Sequence, residues 1–290
     1  MKAELALQFK AEVGEGPIWD SATQELIFID VTQGLIHRFN PKNSSLSTIE
    51  IGTHIGAVGL MDQFFYIGAI RDGFATINRQ SGEISYLSKV LDDLDTRFND
   101  GKCDPFGNFV AGTMRYEPEM GTAALYSLVP NGNVKRLLEG IGLSNGLCWD
   151  SSGTTLFYID TLTRQIAKFD YDPTLGIIGN RKVFYEFSPN SGSPDGMTID
   201  LEGNLWVALW GGSRIVQINS NGQLTCEIPL PVSQPTSVGF GGKDMNQLFI
   251  TSACYHLNEV NLKKEPHAGS VFVVEVGIPG SEEFRFSLTR

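Results

Sequence analysis

The chain has 290 residues, of which 19% are charged, against roughly 25% in an average domain. Long solvated helices need many charged side chains, so this composition favours β structure. The formal net charge of -11 repels phosphate backbones and anionic lipid surfaces, so we expect neither nucleic-acid nor membrane partners.

The N-terminal stretch MKAELALQFK has one early lysine and only a short, interrupted apolar run, which is not the pattern of a signal peptide. No apolar run reaches the length of about 18 residues that a membrane-spanning helix needs. The 4 cysteines form no CxxC pair and lie in strand-like contexts, which favours buried thiols in a reducing compartment. We therefore expect a cytoplasmic protein. We also expect a monomer or a weak homo-oligomer.

The chain repeats one pattern: an aspartate, a short turn, and then a run in which apolar and polar residues alternate. The repeats begin at Asp20, Asp62, Asp104, Asp150, Asp200 and Asp244. A spacing of about 40–50 residues with room for about four strands per unit is typical of a β-propeller. We predict an all-β fold, a six-bladed β-propeller that forms a single domain over residues 1–290. A pair of β-sandwiches would not explain the even spacing of the turns.

A strand is also predicted at Ala3–Phe9, before the first repeat. In a ring of blades, such an extra strand joins the last blade and closes the circle. Further along, Asn-Gly pairs at 131–132 and 221–222 predict tight hairpin turns between later strands. No amphipathic helix of any length is evident in the pattern.

The residue five positions before each repeat aspartate is expected in a loop at one mouth of the central channel. These positions hold Glu15, Ala57, Asn99, Asn145, Asp195 and Gly239. Four of the six carry side-chain oxygen, and the symmetry of a propeller would bring those four together near the axis. An oxygen-only set suits Ca²⁺, Mg²⁺ or Mn²⁺, and Zn²⁺ also accepts carboxylates. The alternative is that these residues merely form turns.

The same segments resemble the SMP-30/gluconolactonase/luciferin-regenerating-enzyme family. The resemblance covers nearly the whole chain and agrees with six blades. It rests on GEGPIWD at 14–20, RFNDGKCDPFGNFVAGTM at 97–114, SNGLCWD at 144–150, FYID at 157–160, PDGMTIDLEGNLWVALWGG at 194–212 and FGG at 240–242.

The resemblance implies one divalent metal cation (Ca, Zn, Mn or Mg) held by Glu15, Asn145 and Asp195. Asn99 would lie beside the metal and reach it directly or through water. The implied reaction is hydrolysis of a sugar lactone, such as a glucono-, xylono- or arabinonolactone, to the aldonic acid. In this scheme Asp195 is the general base that takes a proton from the attacking water.

The family pattern also implies residues that bind the sugar. Arg97 matches an arginine that binds substrate hydroxyls, and Asn99 would help to orient the ring. Glu117 matches an acidic residue that contacts the sugar in some members. His256 is a further candidate for substrate contact, because it follows the last predicted inner strand.

Three alternatives remain open at this point. Residues 142–146 fit G-x-S-x-G with Ser144 as nucleophile, but a nucleophile elbow needs a following helix, and a strand and hairpin are predicted instead. A non-enzymatic calcium-binding propeller is a second reading. Metal-dependent phosphotriester hydrolysis is a third.

Overall fold

The fold is known from a computed structural model, which describes residues 1–172 and 177–288. Within these residues the chain is nearly all β-strand and forms six four-stranded antiparallel sheets. This confirms the predicted all-β, six-bladed propeller. Positions 173–176 and 289–290 of the predicted 1–290 domain lie outside the described residues.

The strand bounds are as follows, taken blade by blade from the innermost strand outward. Blade 1 has β2 (Gly14–Asp20), β3 (Glu25–Asp30), β4 (Leu35–Asn40) and β5 (Ser45–Glu50); blade 2 has β6 (Ile55–Leu60), β7 (Phe65–Ile70), β8 (Gly73–Asn78) and β9 (Ile84–Lys89); blade 3 has β10 (Thr96–Cys103), β11 (Phe109–Arg115), β12 (Ala123–Leu128) and β13 (Val134–Ile141). Blade 4 has β14 (Ser144–Trp149), β15 (Thr155–Asp160), β16 (Gln165–Asp172) and β17 (Ile177–Glu186); blade 5 has β18 (Ser193–Ile199), β19 (Leu205–Trp210), β20 (Arg214–Ile218) and β21 (Leu224–Pro229); blade 6 has β22 (Pro235–Gly241), β23 (Gln247–Ser252), β24 (Val271–Glu275) and β1 (Glu4–Leu7).

The N-terminal strand closes the ring. Blade 6 has the strand order β22-β23-β24-β1, and β1 pairs antiparallel with β24, with Glu4 opposite Val273 and Leu5 opposite Phe272. The prediction that an N-terminal strand joins the last blade is confirmed. Its outermost position ties the start of the chain to its last strand.

The core lies between neighbouring blades. Each innermost strand contacts the innermost strands of the blades on either side, so the six surround one axis. Apolar side chains from facing sheets interlock between the blades, as where Ile29 and Ile36 of blade 1 pack with Tyr66 and Ile77 of blade 2. Each blade is too small to bury its own faces, so the ring is stabilised by these shared clusters.

The repeat aspartates are turn residues at the far end of the innermost strands. Asp104 Oδ1 accepts hydrogen bonds from the backbone N–H groups of Phe106 (2.9 Å) and Asn108 (2.8 Å). Asp200 Oδ1 does the same for Glu202 (3.0 Å) and Asn204 (2.9 Å). The aspartates of the first five units all accept backbone N–H groups of their own turns in this way, which explains why this residue type recurs there.

The end of the chain runs across the face of the ring that carries these turns. We call residues 277–288 the C-terminal strap. The strap forms isolated bridges from Gly280 to Asp200 and from Arg285 to Leu60, and the Phe286 N–H donates to the Leu60 carbonyl at 2.9 Å. It therefore joins blades that are distant in the sequence.

Helix is scarce in the part of the chain that the structure describes. A short 3-10 turn spans Thr161–Thr163, and a single α-helix, α1, spans Glu259–Lys264. None of the described helices has the length and apolar character needed to cross a membrane. All four cysteines are free; Cys103 and Cys148 are buried, while Cys226 and Cys254 are half-buried.

Candidate functional site

Each innermost strand has a β-bulge close to its first residues. The paired register shifts between Phe98 and Gly101 in β10, between Ser144 and Leu147 in β14, and between Pro194 and Met197 in β18. A bulge adds one unpaired residue and re-aims the neighbouring side chains. The predicted oxygen-bearing residues of these three strands fall within the bulges, all at the same mouth of the channel.

The glycines of the motifs allow the bulged strands to approach one another. A β-carbon on Gly146 would lie only 2.7 Å from the carbonyl oxygen of Asp195 in the next blade. A β-carbon on Gly196 would overlap the side chain of Ser237, one blade further on. The Asn-Gly and Asp-Gly pairs therefore combine a donor oxygen with the close packing that brings donors from different blades together.

The predicted carboxylates Glu15 and Asp195 are buried at this mouth, with 9% and 7% of their surfaces exposed. Burial, followed by the nearby charges of Asp195 and Asp100, raises the pKa of Glu15 well above its usual value. Burial and Asp100 likewise raise the pKa of Asp195 well above its usual value. Among the described residues, neither Glu15 nor Asp195 forms an ion pair with lysine or arginine.

These carboxylates fit a cation. Buried like charges without a positive partner are costly, and a bound divalent ion would compensate them. The oxygens of Glu15, Asp195, Asn145 and Asn99 are hard donors of the kind that Ca²⁺, Mg²⁺ and Mn²⁺ accept. Among the described residues no three histidine, cysteine, aspartate or glutamate side chains are grouped closely enough to hold a metal alone. The amide oxygens are therefore an essential part of the predicted set.

A directed chain of hydrogen bonds links the polar residues across three blades. Arg97 Nη1 donates to Asn99 Oδ1 at 3.0 Å, and Asn99 Nδ2 lies 3.3 Å from Asn145 Oδ1. Asn145 Nδ2 donates to Thr161 Oγ1 at 2.8 Å, and that hydroxyl donates to the Pro194 carbonyl at 2.8 Å. These hydrogen bonds bring Arg97, Asn99 and Asn145 together and reach the carbonyl of the residue before Asp195. Asn145 also hydrogen-bonds to the Asp195 carboxylate itself.

Two residues predicted to contact the substrate lie outside this hydrogen-bond network. Glu117 is exposed on the loop after β11 and forms no hydrogen bond or ion pair with any described residue. His256 is exposed with a left-handed backbone (φ 57). Both remain predictions.

Two residues at the rim were missed by the sequence analysis. The hydroxyl of Tyr116 lies 3.0 Å from His54 Nδ1, and its ring centroid lies 5.9 Å from the Arg97 guanidinium carbon. Tyr116 is 43% exposed and can present its ring to a ligand above Arg97. Its neighbour Glu117 was singled out from the family pattern, whereas nothing in the pattern marked His54.

Ser144 lacks the surroundings of a nucleophile. It is fully buried, and a β-carbon on Gly112 of blade 3 would overlap its hydroxyl group. Its Oγ lies beside the hydroxyl of Tyr158, whose pKa is raised by burial, so no base is in place to activate it. β14 is followed by β15 rather than by a helix, as the sequence predicts.

The sequence alignment of the sixth unit needs a correction. In β22 the bulge falls between Pro235 and Val238, which places Thr236 and Ser237 in phase with the other site residues. Gly239, reached by counting back from Asp244, lies beyond the bulge in the strand. In the second unit, the bulge lies between Ile55 and Ala57, so the residue equivalent to the other site residues is Gly56 rather than Ala57. Counting five residues back from each repeat aspartate does not always reach the bulge, because the turn lengths differ between blades.

A six-bladed propeller with buried oxygen donors at one mouth is the class of protein that the fold and site define. The chain belongs to the family described as "SMP-30/Gluconolactonase/LRE-like region", whose model matches residues 13–254. It is 33% identical over 288 residues to regucalcin of Xenopus laevis, covering 97% of this chain and 96% of that protein.

A bacterial relative and a solved structure agree with this membership. The chain is 34% identical over 289 residues to YvrE of Bacillus subtilis (strain 168), provisionally named a sugar lactone lactonase, with 99% of each chain covered. Its fold matches a regucalcin of Agrobacterium tumefaciens, described as a calcium-binding protein, with a TM-score of 0.94 and 25% identity. That match covers 99% of this chain and 98% of the other.

Proposed function

We propose that the protein hydrolyses a sugar lactone to its aldonic acid, using one divalent cation held by Glu15, Asn145 and Asp195. Asn99 completes the set directly or through water. The observation that carries the proposal is the pair of buried carboxylates that have no ion-pair partner among the described residues, at the mouth where bulges in β10 and β14 deliver amide oxygens. Family membership and the lactonase name of a relative support the same reaction.

A cation bound there would polarise the lactone carbonyl and stabilise negative charge on its oxygen. The carboxylate of Asp195 takes a proton from the water that attacks the carbonyl carbon. A base positioned in this way contributes about 10²–10⁴-fold to the rate. The burial of Asp195 limits competing contacts with bulk water and holds the carboxylate in one orientation.

Arg97 and Asn99 orient the sugar ring in this proposal. Arg97 is 8% exposed, and Nη1 is the guanidinium nitrogen that hydrogen-bonds to Asn99 and to the Phe98 carbonyl. Its remaining N–H groups are available for the ring hydroxyls of a substrate, since arginine has five donors in a fixed fork. Glu117, from the rim loop, is proposed as a further hydroxyl contact.

A panel of glucono-, xylono- and arabinonolactones tests the proposal. The protein is first treated with chelator and then assayed with Ca²⁺, Mg²⁺, Mn²⁺ or Zn²⁺ added singly. We expect turnover of at least one lactone with a preferred metal, and loss of that turnover in excess chelator. Full activity in chelator would exclude the metal role.

The lactone assay, together with a calcium-binding measurement and a phosphotriester substrate, separates the two alternative functions. Calcium binding without turnover of any lactone would support a non-enzymatic calcium-binding propeller, in line with the description of the Agrobacterium structure. Hydrolysis of a phosphotriester such as paraoxon, with no lactone turned over, would support the third reading. Either result contradicts the proposed reaction.

A further inference from the structure

Thr161 links two strands of the site without belonging to the predicted ligand set. It opens the 3-10 turn after β15, and its hydroxyl accepts from Asn145 Nδ2 at 2.8 Å. The same hydroxyl donates to the Pro194 carbonyl at 2.8 Å. Asn145 lies on β14 and Pro194 on β18, so one side chain joins blade 4 to blade 5 at the mouth of the channel.

The first bond helps to set which way the Asn145 amide faces. An asparagine side chain has a donor end and an acceptor end of nearly equal size, and its orientation is set by its hydrogen-bond partners. Nδ2 donates to Thr161 and the same amide end also hydrogen-bonds to the Asp195 carboxylate, so the oxygen of Asn145 is the end left for Asn99 and for a cation. The contact with Asn99 is long, at 3.3 Å, so Thr161 makes the closer of the two bonds.

The second bond acts on the neighbouring ligand. Pro194 directly precedes Asp195, and the bulge in β18 begins at Pro194. Because proline has no N–H, its carbonyl is its only backbone hydrogen-bonding group. The hydroxyl of Thr161 therefore restrains the backbone from which the Asp195 side chain leaves the strand.

We propose that Thr161 is a positioning residue: it holds the Asn145 oxygen and the Asp195 backbone in the geometry that binds the cation. This inference rests on the proposed metal site. A hydroxyl is required, since the position both accepts and donates a hydrogen bond. Loss of a partner that orients a metal ligand typically costs about 10–100-fold in metal affinity.

Three variants test the role. Thr161→Val keeps the shape and removes both hydrogen bonds, whereas Thr161→Ser keeps the hydroxyl. Thr163→Val is the matched control, because Thr163 lies in the same turn but donates to the Asp160 carbonyl (2.7 Å) within it. Full-length chelated protein is titrated with Ca²⁺ and with Mn²⁺ in a calorimeter, and its urea unfolding midpoint is measured without metal.

We expect Thr161→Val to weaken the affinity for the better-binding cation by about 10–100-fold. Thr161→Ser should stay within about threefold of the wild type, and Thr163→Val should bind normally even if its unfolding midpoint falls. Normal binding by Thr161→Val, or equal losses in Thr161→Val and Thr163→Val, would overturn the positioning role alone. A wild-type protein that binds neither cation would overturn the proposed metal site and this inference with it.

Discussion

Asp195 and Ser144 lie on adjacent innermost strands, yet their surroundings assign them different roles. Asp195→Asn keeps the size of the side chain and one oxygen donor, but it cannot accept a proton. We expect a loss of about 10² or more in kcat/KM, because a general base is removed, with weaker metal binding in addition. Added metal alone should not restore the rate, which is measured by steady-state lactone hydrolysis over a range of metal concentrations.

Ser144→Ala provides the comparison. Its buried hydroxyl lies beside that of Tyr158 and contacts no base among the described residues, so its removal should cost less than about tenfold, through altered packing against Gly112. An inactive Ser144→Ala together with an active Asp195→Asn would indicate a covalent serine mechanism and would contradict the proposed function.

His37 carries a pH dependence of stability that is separate from the site. It is 1% exposed and packed against the rings of Phe9 (edge-on) and Phe28 (tilted), and burial lowers its pKa from 6.5 to about 4. As pH falls from 6.5 to 4, the unfolded chain takes up a proton that the folded chain excludes. The free energy of unfolding therefore decreases as the pH decreases across this window. The decrease is up to about 3 kcal/mol, at about 1.4 kcal/mol per pH unit.

We expect His37→Phe to flatten this part of the stability profile, measured by urea unfolding at pH 7, 6, 5 and 4. Thr48→Val is the control, since it removes the partner of His37 Nδ1 (2.9 Å) and leaves the imidazole in place. That variant should keep the slope. Parallel profiles for the wild type and His37→Phe would show that other groups cause the acid sensitivity.

Within the innermost strands, glycine is required where two backbones meet. Gly239 of β22 faces the carbonyl of Pro17 in β2, and a β-carbon there would overlap that oxygen. Gly239→Ala should therefore lower the free energy of unfolding by about 1–3 kcal/mol or more, as overpacking does. At Gly179 of β17, no described residue beyond its chain neighbours comes within 4 Å of such a β-carbon, so Gly179→Ala should change the free energy of unfolding by less than about 1 kcal/mol. Chemical unfolding of both variants measures the difference, and equal effects would contradict the packing argument.

The elements also show how far the sequence could predict the site. The repeat aspartates and the alternation of apolar residues are local patterns, so they gave the blades and the closing strand correctly. The bulges depend on pairing with the next strand, so counting back from Asp244 reached Gly239 rather than Thr236. Thr161 was missed because its two partners lie on other strands, and its importance appears only when the blades are assembled.

At the scale of the whole molecule, the ring is held closed at two places. β1 completes blade 6 at the outer edge, and the C-terminal strap spans the face opposite the site. The strap contacts Leu60 and Asp200, the last residue of β6 and the residue after β18, whereas the site lies at the first residues of the innermost strands. Five residues of strand separate the two ends by about 16 Å. Stability and substrate binding should therefore respond separately to changes in the strap.

Phe286 anchors the strap, since it is 2% exposed and packs in one apolar cluster with Phe98 and Phe109 of blade 3. Phe286→Ala should lower the free energy of unfolding by about 3–5 kcal/mol, the usual cost of emptying a buried phenylalanine site. The control is Phe284→Ala, because Phe284 is 38% exposed on the same strap and should cost less than about 1 kcal/mol. Urea unfolding and lactone KM are measured for both variants at a temperature where each is folded. We expect both variants to keep a KM close to the wild-type value and only Phe286→Ala to lose stability. A higher KM in Phe286→Ala would mean that the strap affects the geometry of the site through the blades.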